Sequence, residues 1–135
     1  MTDLVSARRE IYIGFRTLWG STTPMAYDNE TFDGQINGEP WIRLSVRHTV
    51  SAQDSLGSVG NRRYQREGNV FVQIFTASDS GTKRADELAQ QARSILEGTR
   101  ISTIRFNDVQ ITEIPSDGLW YNIVVEAAFR YDERK

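Results

Sequence analysis

Any chemistry in this chain would have to come from a handful of short stretches. Ser78-Asp79-Ser80-Gly81-Thr82-Lys83 joins a strand-like run to a helix-like one, where a phosphate-binding loop would sit. Such a loop needs several glycines, so that backbone N–H groups can approach phosphate, and a lysine directly before its Ser or Thr. Here Gly81 stands alone and Lys83 follows Thr82. The glycines that would flank a nucleophile elbow at Ser78 or Ser80 are also missing. The stretch reads as an ordinary turn with a helix cap. Gly57-Ser58-Val59-Gly60 leads into a strand pattern and not a helix, so it does not fit a dinucleotide-binding turn. Asp28, Glu30 and Asp33 could line a cation, but their spacing matches no calcium loop and suits a solvated acidic loop. His48 ends a strand pattern without a carboxylate partner fixed by sequence, and reads as a structural or surface histidine. No catalytic, metal-binding or cofactor-binding residue is assigned, and no enzyme activity is expected.

Arg62-Arg63-Tyr64-Gln65-Arg66 is the basic cluster with an aromatic residue inside it. Its guanidinium groups could meet phosphates while Tyr64 stacks on a base. Strand alternation would place Arg63 and Gln65 on one face, with Arg62, Tyr64 and Arg66 on the other and Glu67 adjacent. A subunit interface rich in Arg and Tyr has the same composition. The interface is the favoured reading, with DNA contact as the alternative. On that reading, reversing the charge of Arg63 or Arg66 should impair assembly and leave folding nearly unchanged, because exposed pairs contribute only about 0.2–1 kcal/mol.

Composition narrows the field further. A chain of 135 residues fits one domain, 1–135, with a single adequate core. Its net charge of −2, with both signs interspersed, gives no global pull toward nucleic acid or an anionic membrane. The absence of cysteine removes disulfides, thiolate catalysis and Cys-based metal sites, and suits a reducing compartment. The single histidine excludes a His-rich metal cluster within one chain. No signal peptide is visible at Met1–Ser6, and no apolar run approaches the ~20 residues that span a bilayer. A cytosolic site of synthesis is expected.

The elements that must position these side chains follow from periodicity. Leu4, Ala7, Ile11, Phe15 and Leu18 predict a helix over residues 3–19, with Thr2 as its cap and Asp3 at the positive end of its dipole. Residues 21–40 are loop-like, with Asp33-Gly34 and Asn37-Gly38 as turns and a short strand near Met25–Tyr27. Ile42, Leu44 and Val46 alternate with Arg43, Ser45 and Arg47, a half-buried strand from Trp41 to Thr49. Residues 50–60 are polar and punctuated by glycine, and a long strand from Arg62 to Thr76 has Gly68 as a bulge or bend. The two strands make an extended hairpin whose tip is expected to be mobile in a free subunit and ordered against a neighbour. Thr82 caps a second helix whose stripe is Ala85, Leu88, Ala89, Ala92, Ile95 and Leu96, with Gly98 as its stop. Residues 105–114 form another strand, Pro115-Ser116-Asp117-Gly118 a turn, and Leu119–Tyr131 the last strand.

The resulting fold class is α+β: an antiparallel or mixed β-sheet with two α-helices packed on one face and a long projecting β-hairpin. Two helices can cover only one face of the sheet. Phe71, Phe75, Trp120, Val124 and Ala128 fall on the other. Either the hairpin or the 21–40 loop folds over that face, or neighbouring subunits cover it. The candidate subunit interface is accordingly Arg62, Arg63, Tyr64, Arg66, Phe71, Phe75 and Trp120.

Several of these stretches also resemble a known family. Pro40-Trp41-Ile42-Arg43-Leu44-Ser45-Val46-Arg47, Leu56-Gly57 and Gly60-Asn61-Arg62-Arg63-Tyr64 leading to Gly68 are similar to short proteins of tailed phages and prophages. So are Val72-Gln73-Ile74-Phe75, the Gly81-Thr82 helix start, Glu97-Gly98, Gly118-Leu119-Trp120-Tyr121 and Tyr131-Asp132. The family is that of the tail terminators of long-tailed phages. The resemblance implies a structural virion protein made in the bacterial cytoplasm, a homo-oligomer expected to be a hexameric ring. Such a ring would cap the tail tube, stop its polymerisation and meet a head-completion or neck protein, while DNA passes without specific binding. It carries no catalytic residues and no membrane association. The alternatives are another neck or tail-tube ring protein, or a monomeric ligand-binding α+β domain.

Overall fold

The computed structural model describes residues 3–32, 39–53, 55, 57–97, 100–114 and 118–135. Its helices are α1 (Leu4–Trp19) and α2 (Lys83–Leu96). Its strands are β1 (Met25–Tyr27), β2 (Trp41–Gln53), β3 (Arg63–Ala77), β4 (Arg100–Ile101), β5 (Ile104–Ile114) and β6 (Trp120–Arg134). They form one mixed sheet in the order β1-β2-β3-β6-β5-β4, with β1 parallel to β2 and the other pairings antiparallel. This is the expected α+β fold.

Both helices pack on one face because each presents a stripe of matching width. In α1 the buried residues are Ala7, Ile11, Phe15 and Trp19, four apart throughout. Leu4 and Leu18, expected in that stripe, are each 51% exposed. Leu18 is turned about 100° from Trp19, so only one of the two can continue the line from Phe15. The N-cap is Asp3, whose carboxylate accepts the N–H of Ser6 at 2.8 Å and is thereby held below the usual carboxylate range. Thr2, the expected cap, lies outside the described residues. Thr82 does occupy the cap position of α2, but its backbone is near-helical and its side chain makes no capping bond. Ala85, Leu88, Ala89, Ala92 and Leu96 bury the inner face of α2, while Ile95 is only partly covered. Gly98, the turns at 33–38 and residues 115–117 fall outside the described set.

The core lies between this helical layer and the alternate residues of the central strands. Ile42, Leu44, Val46, Val70, Val72, Ile74, Ile123, Val125, Ala127 and Phe129 supply its floor. Each of these side chains larger than alanine contributes roughly 1.5–3 kcal/mol when fully buried. β4, too short to show in the sequence pattern, tucks beneath α1 at Gly14. A Cβ added there would lie 2.8 Å from Cγ2 of Ile101.

The long hairpin differs from expectation in two ways. β2 runs on to Gln53 instead of ending at Thr49, pairing Val50–Gln53 with Tyr64–Glu67. The irregularity expected at Gly68 falls across from it, in β2, between His48 and Val50. Gly68 is required there by proximity: a Cβ would collide with the carbonyl oxygen of Arg47 and lie 2.6 Å from Cζ of Phe129. The extension beyond Gly68 is also braced. β6 pairs with β3 as far as Arg63↔Arg134, and Arg62 and Lys135 exchange backbone hydrogen bonds of 3.1 and 2.8 Å. At the other end of β6, Leu119 is 77% exposed and outside the strand.

Candidate assembly surface

The helix-free face of the sheet divides into an aromatic end and a charged end. At the aromatic end Trp41 stacks on Phe75 with ring centroids 4.1 Å apart, as cross-strand neighbours of β2 and β3. Trp120 meets Trp41 edge-on at 6.0 Å. Phe32 also stacks on Trp41, at 5.0 Å. Asp28 accepts a 2.8 Å hydrogen bond from Ser45 Oγ and stands 4.0 Å from Arg47. The 28–32 segment therefore covers the β2 margin of this face, as one of the two expected arrangements had it. Phe71, Phe75 and Trp120 remain only half-buried. Phe71 lines a shallow hollow of about 350 Å³ with Ser45, Arg47, Gln73 and Val124.

Strand alternation distributes the basic cluster as expected, and the consequences differ from residue to residue. Arg63 faces the helix-free side, within a polar hollow that Arg105, Arg130 and Asp132 also line. Arg62 joins the end of β6 through its backbone. Tyr64 and Arg66 face the helical side, with the Arg66 guanidinium 4.9 Å from the Tyr64 ring centre. Arg66 is not the exposed side chain the sequence suggests. Its guanidinium bonds Glu133 at 3.0 Å, and the two side chains are 19% and 10% exposed. A nearly buried, bonded pair of this kind holds β3 and β6 together, and removing one partner leaves the other charge unpaired.

Glu133 itself was missed because the sequence pattern ended the last strand at Tyr131. One further step of alternation would have put it on the face of Arg66. Beside this pair, Nε2 of His48 is 2.9 Å from the Tyr131 hydroxyl, and its ring meets Phe129 and Tyr131 edge-on. Burial, then Arg8 and Arg66, pushes the imidazole below its ordinary value. Burial and Glu133 push the Tyr131 phenol up. His48 is thus half-buried against Phe129 and Tyr131.

The stretches with candidate chemistry also make local structural contacts. Ser80 Oγ donates to the carbonyl of Ala77 at 2.6 Å, and Asp79 and Gly81 take φ of 64° and 79°, so this loop is a tight turn. Asp28 is engaged by Ser45, and Asp33 lies outside the described residues. The helix-free face thus presents half-buried aromatics beside charged side chains.

A family model described as phage tail terminator protein matches residues 12–129, and the chain belongs to that family. It is therefore a structural component of a phage tail. A solved structure 14% identical in sequence shares the fold, at a TM-score of 0.63 over 92% of this chain and 94% of its own. No curated protein matches the sequence. Among the described residues no helix is long and apolar enough to cross a membrane.

Proposed function

We propose that copies of this chain assemble into a hexameric ring that caps the tail tube, stops its polymerisation and joins the tail to the head-completion or neck protein in the virion. The observation that supports this reading is the helix-free face. Phe71, Phe75 and Trp120 stay half-buried on a sheet whose other face is sealed by two helices. Aromatic residues left partly exposed around a stacked centre are typical anchors of protein contacts. In a member of the tail terminator family the natural contact is the tube or a neighbouring subunit. Arg63, on the same face, adds polar contacts at the rim, while Arg62, Tyr64 and Arg66 shape the extension that carries them. Terminating a tube requires one surface that fits the last tube ring and another that accepts no further ring. A ring around a channel requires a heterologous contact that closes by rotation. The reading assigns no catalytic step and leaves DNA to pass the ring without specific binding.

Electron microscopy of polymerising tail tubes tests it. Added in excess, the protein should decorate one tube end and fix tube length, while F71D or W120E should fail to do so with folding intact. Tubes that keep growing, with no density at either end, would sink the reading.

A further inference from the structure

Among the described residues, half of the large apolar side chains left exposed lie on α1: Leu4, Val5, Ile13 and Leu18, of eight in all. Leu4, Val5 and Ile13 line a groove of about 590 Å³ between α1 and Tyr27 of β1. Arg9 and Arg16 line it as well, and among the described residues neither has a carboxylate partner. Glu30 is the one acidic residue in its described lining. The flank formed by α1 and β1 is therefore both apolar and basic.

The opposite flank has the complementary character. β4 covers only the first two residues of β5, and β6 pairs with β5 from the inside. Along Gln110–Ile114 no described strand occupies the outer edge. Soluble proteins guard such edges with bulges, lysines or prolines. β5 has its bulge earlier, between Asn107 and Gln110, and the regular part beyond contains no lysine or proline. Ile111 and Ile114 are 38% and 37% exposed there. Exposed Glu113 of β5 and exposed Asp86 of α2 have no cationic partner among the described residues. Both lie close enough to Tyr121 to raise its phenol, after the larger effect of burial.

We infer that the ring closes by seating the β5 edge of one copy, with Ile111, Ile114, Glu113 and Asp86, in the α1–β1 groove of the next copy. The inference rests on the ring reading above and specifies which surfaces make the ring. A second copy is the occupant because the chain itself supplies both halves: two unpaired arginines among aliphatics on one flank, two unpaired carboxylates among aliphatics on the other. Those flanks lie at the two ends of the sheet order, β1 at one and β5 near the other. Two different surfaces on opposite sides give a head-to-tail contact, the kind that closes rings. An isologous dimer would instead bring like charges together.

A charge-swap experiment separates these possibilities. One variant carries R9E and R16E, the other D86R and E113R. Each alone places like charges across the contact and should lose association by at least roughly tenfold. Mixed in equal amounts, the two can alternate around a ring, restoring every contact, and association should return toward that of the wild type. Molecular mass by sedimentation and ring occupancy at tube ends by electron microscopy are the readouts. Unchanged thermal midpoints show that all variants fold. If either variant assembles like wild type, or if mixing two folded variants restores nothing, the flank pairing is wrong while the ring stands. If wild type neither associates nor caps tubes, the ring and the pairing fall together.

Discussion

Replacing Gly68 with alanine tests the geometry of the long hairpin most directly. The added Cβ would collide with the Arg47 carbonyl oxygen and lie 2.6 and 2.7 Å from ring carbons of Phe129. Ordinary contact begins near 3.5 Å, so the ring must move by about 1 Å, and the β2 backbone must move as well. Neither shift is easy. Phe129 is 1% exposed, and the carbonyl belongs to a strand already irregular between His48 and Val50. Overpacking costs roughly 1–3 kcal/mol, and each backbone hydrogen bond weakened at the bulge adds about 0.5–1.5 kcal/mol. The expected loss is about 3–5 kcal/mol, equivalent to roughly 10–20 °C in thermal midpoint for a chain of this size. Urea unfolding with an unchanged slope would measure it. Gly81 is the control, because it has φ of 79° and open space where its Cβ would go. Alanine there should cost only about 1–2 kcal/mol, for the left-handed backbone. If G68A loses no more than G81A, the close approach is not what demands glycine and the reasoning fails.

Three other perturbations have defined outcomes. R66E should lower stability by about 3–5 kcal/mol, because it leaves Glu133 nearly buried beside a like charge, whereas R63E, at an exposed side chain, should cost no more than ~1 kcal/mol; chemical denaturation of both variants decides this. G14A should destabilise despite the ~1 kcal/mol that alanine gains inside a helix, since Ile101 lies 2.8 Å from the new Cβ; a higher melting temperature would show that β4 yields easily. His48 is held neutral in the fold below its ordinary 6.5, so the unfolded chain binds the extra proton. Stability should accordingly fall as pH drops through about 6.5 toward the lowered folded value, and H48Q should flatten thermal melts across that window. Asp3, with a lowered carboxyl, contributes in a separate range: its stabilisation is present above about 3.8 and is lost as pH falls through the folded value.

Periodicity made the architecture legible because burial on one face imposes it. The Ile42–Leu44–Val46 alternation and the Ala85–Leu96 stripe specify a strand and a helix regardless of what surrounds them. Where the sequence misled, longer-range contacts decided. Leu18 and Trp19 are both apolar, and only the position of the sheet selects Trp19. Val50–Gln53 looks like loop by composition, yet it is strand because Tyr64–Glu67 is already held on its other side by β6. Arg66 looked like a surface charge because its partner, Glu133, lies 67 positions away. The aromatic face was legible as a face, and its composition was enough to suggest docking. The groove beside α1 was not, since it depends on β1 running parallel to β2 and bringing Tyr27 beneath the helix.

The sheet order also constrains when the molecule can come into being. β3 has two long neighbours, and one of them, β6, is the last strand of the described chain. Its fifteen registered pairs with β3 supply the largest non-local seam in the sheet. A nascent chain that has emerged only as far as α2 or β5 therefore exposes the inner edge of β3 with nothing to close it, and the hydrophobic floor lacks Ile123, Val125, Ala127 and Phe129. Pairing at this sequence distance is slow, and an unclosed strand is prone to aggregate. Folding to the native sheet has to wait until β6 has been synthesised, because the inner edge of β3 has no other partner among the described strands.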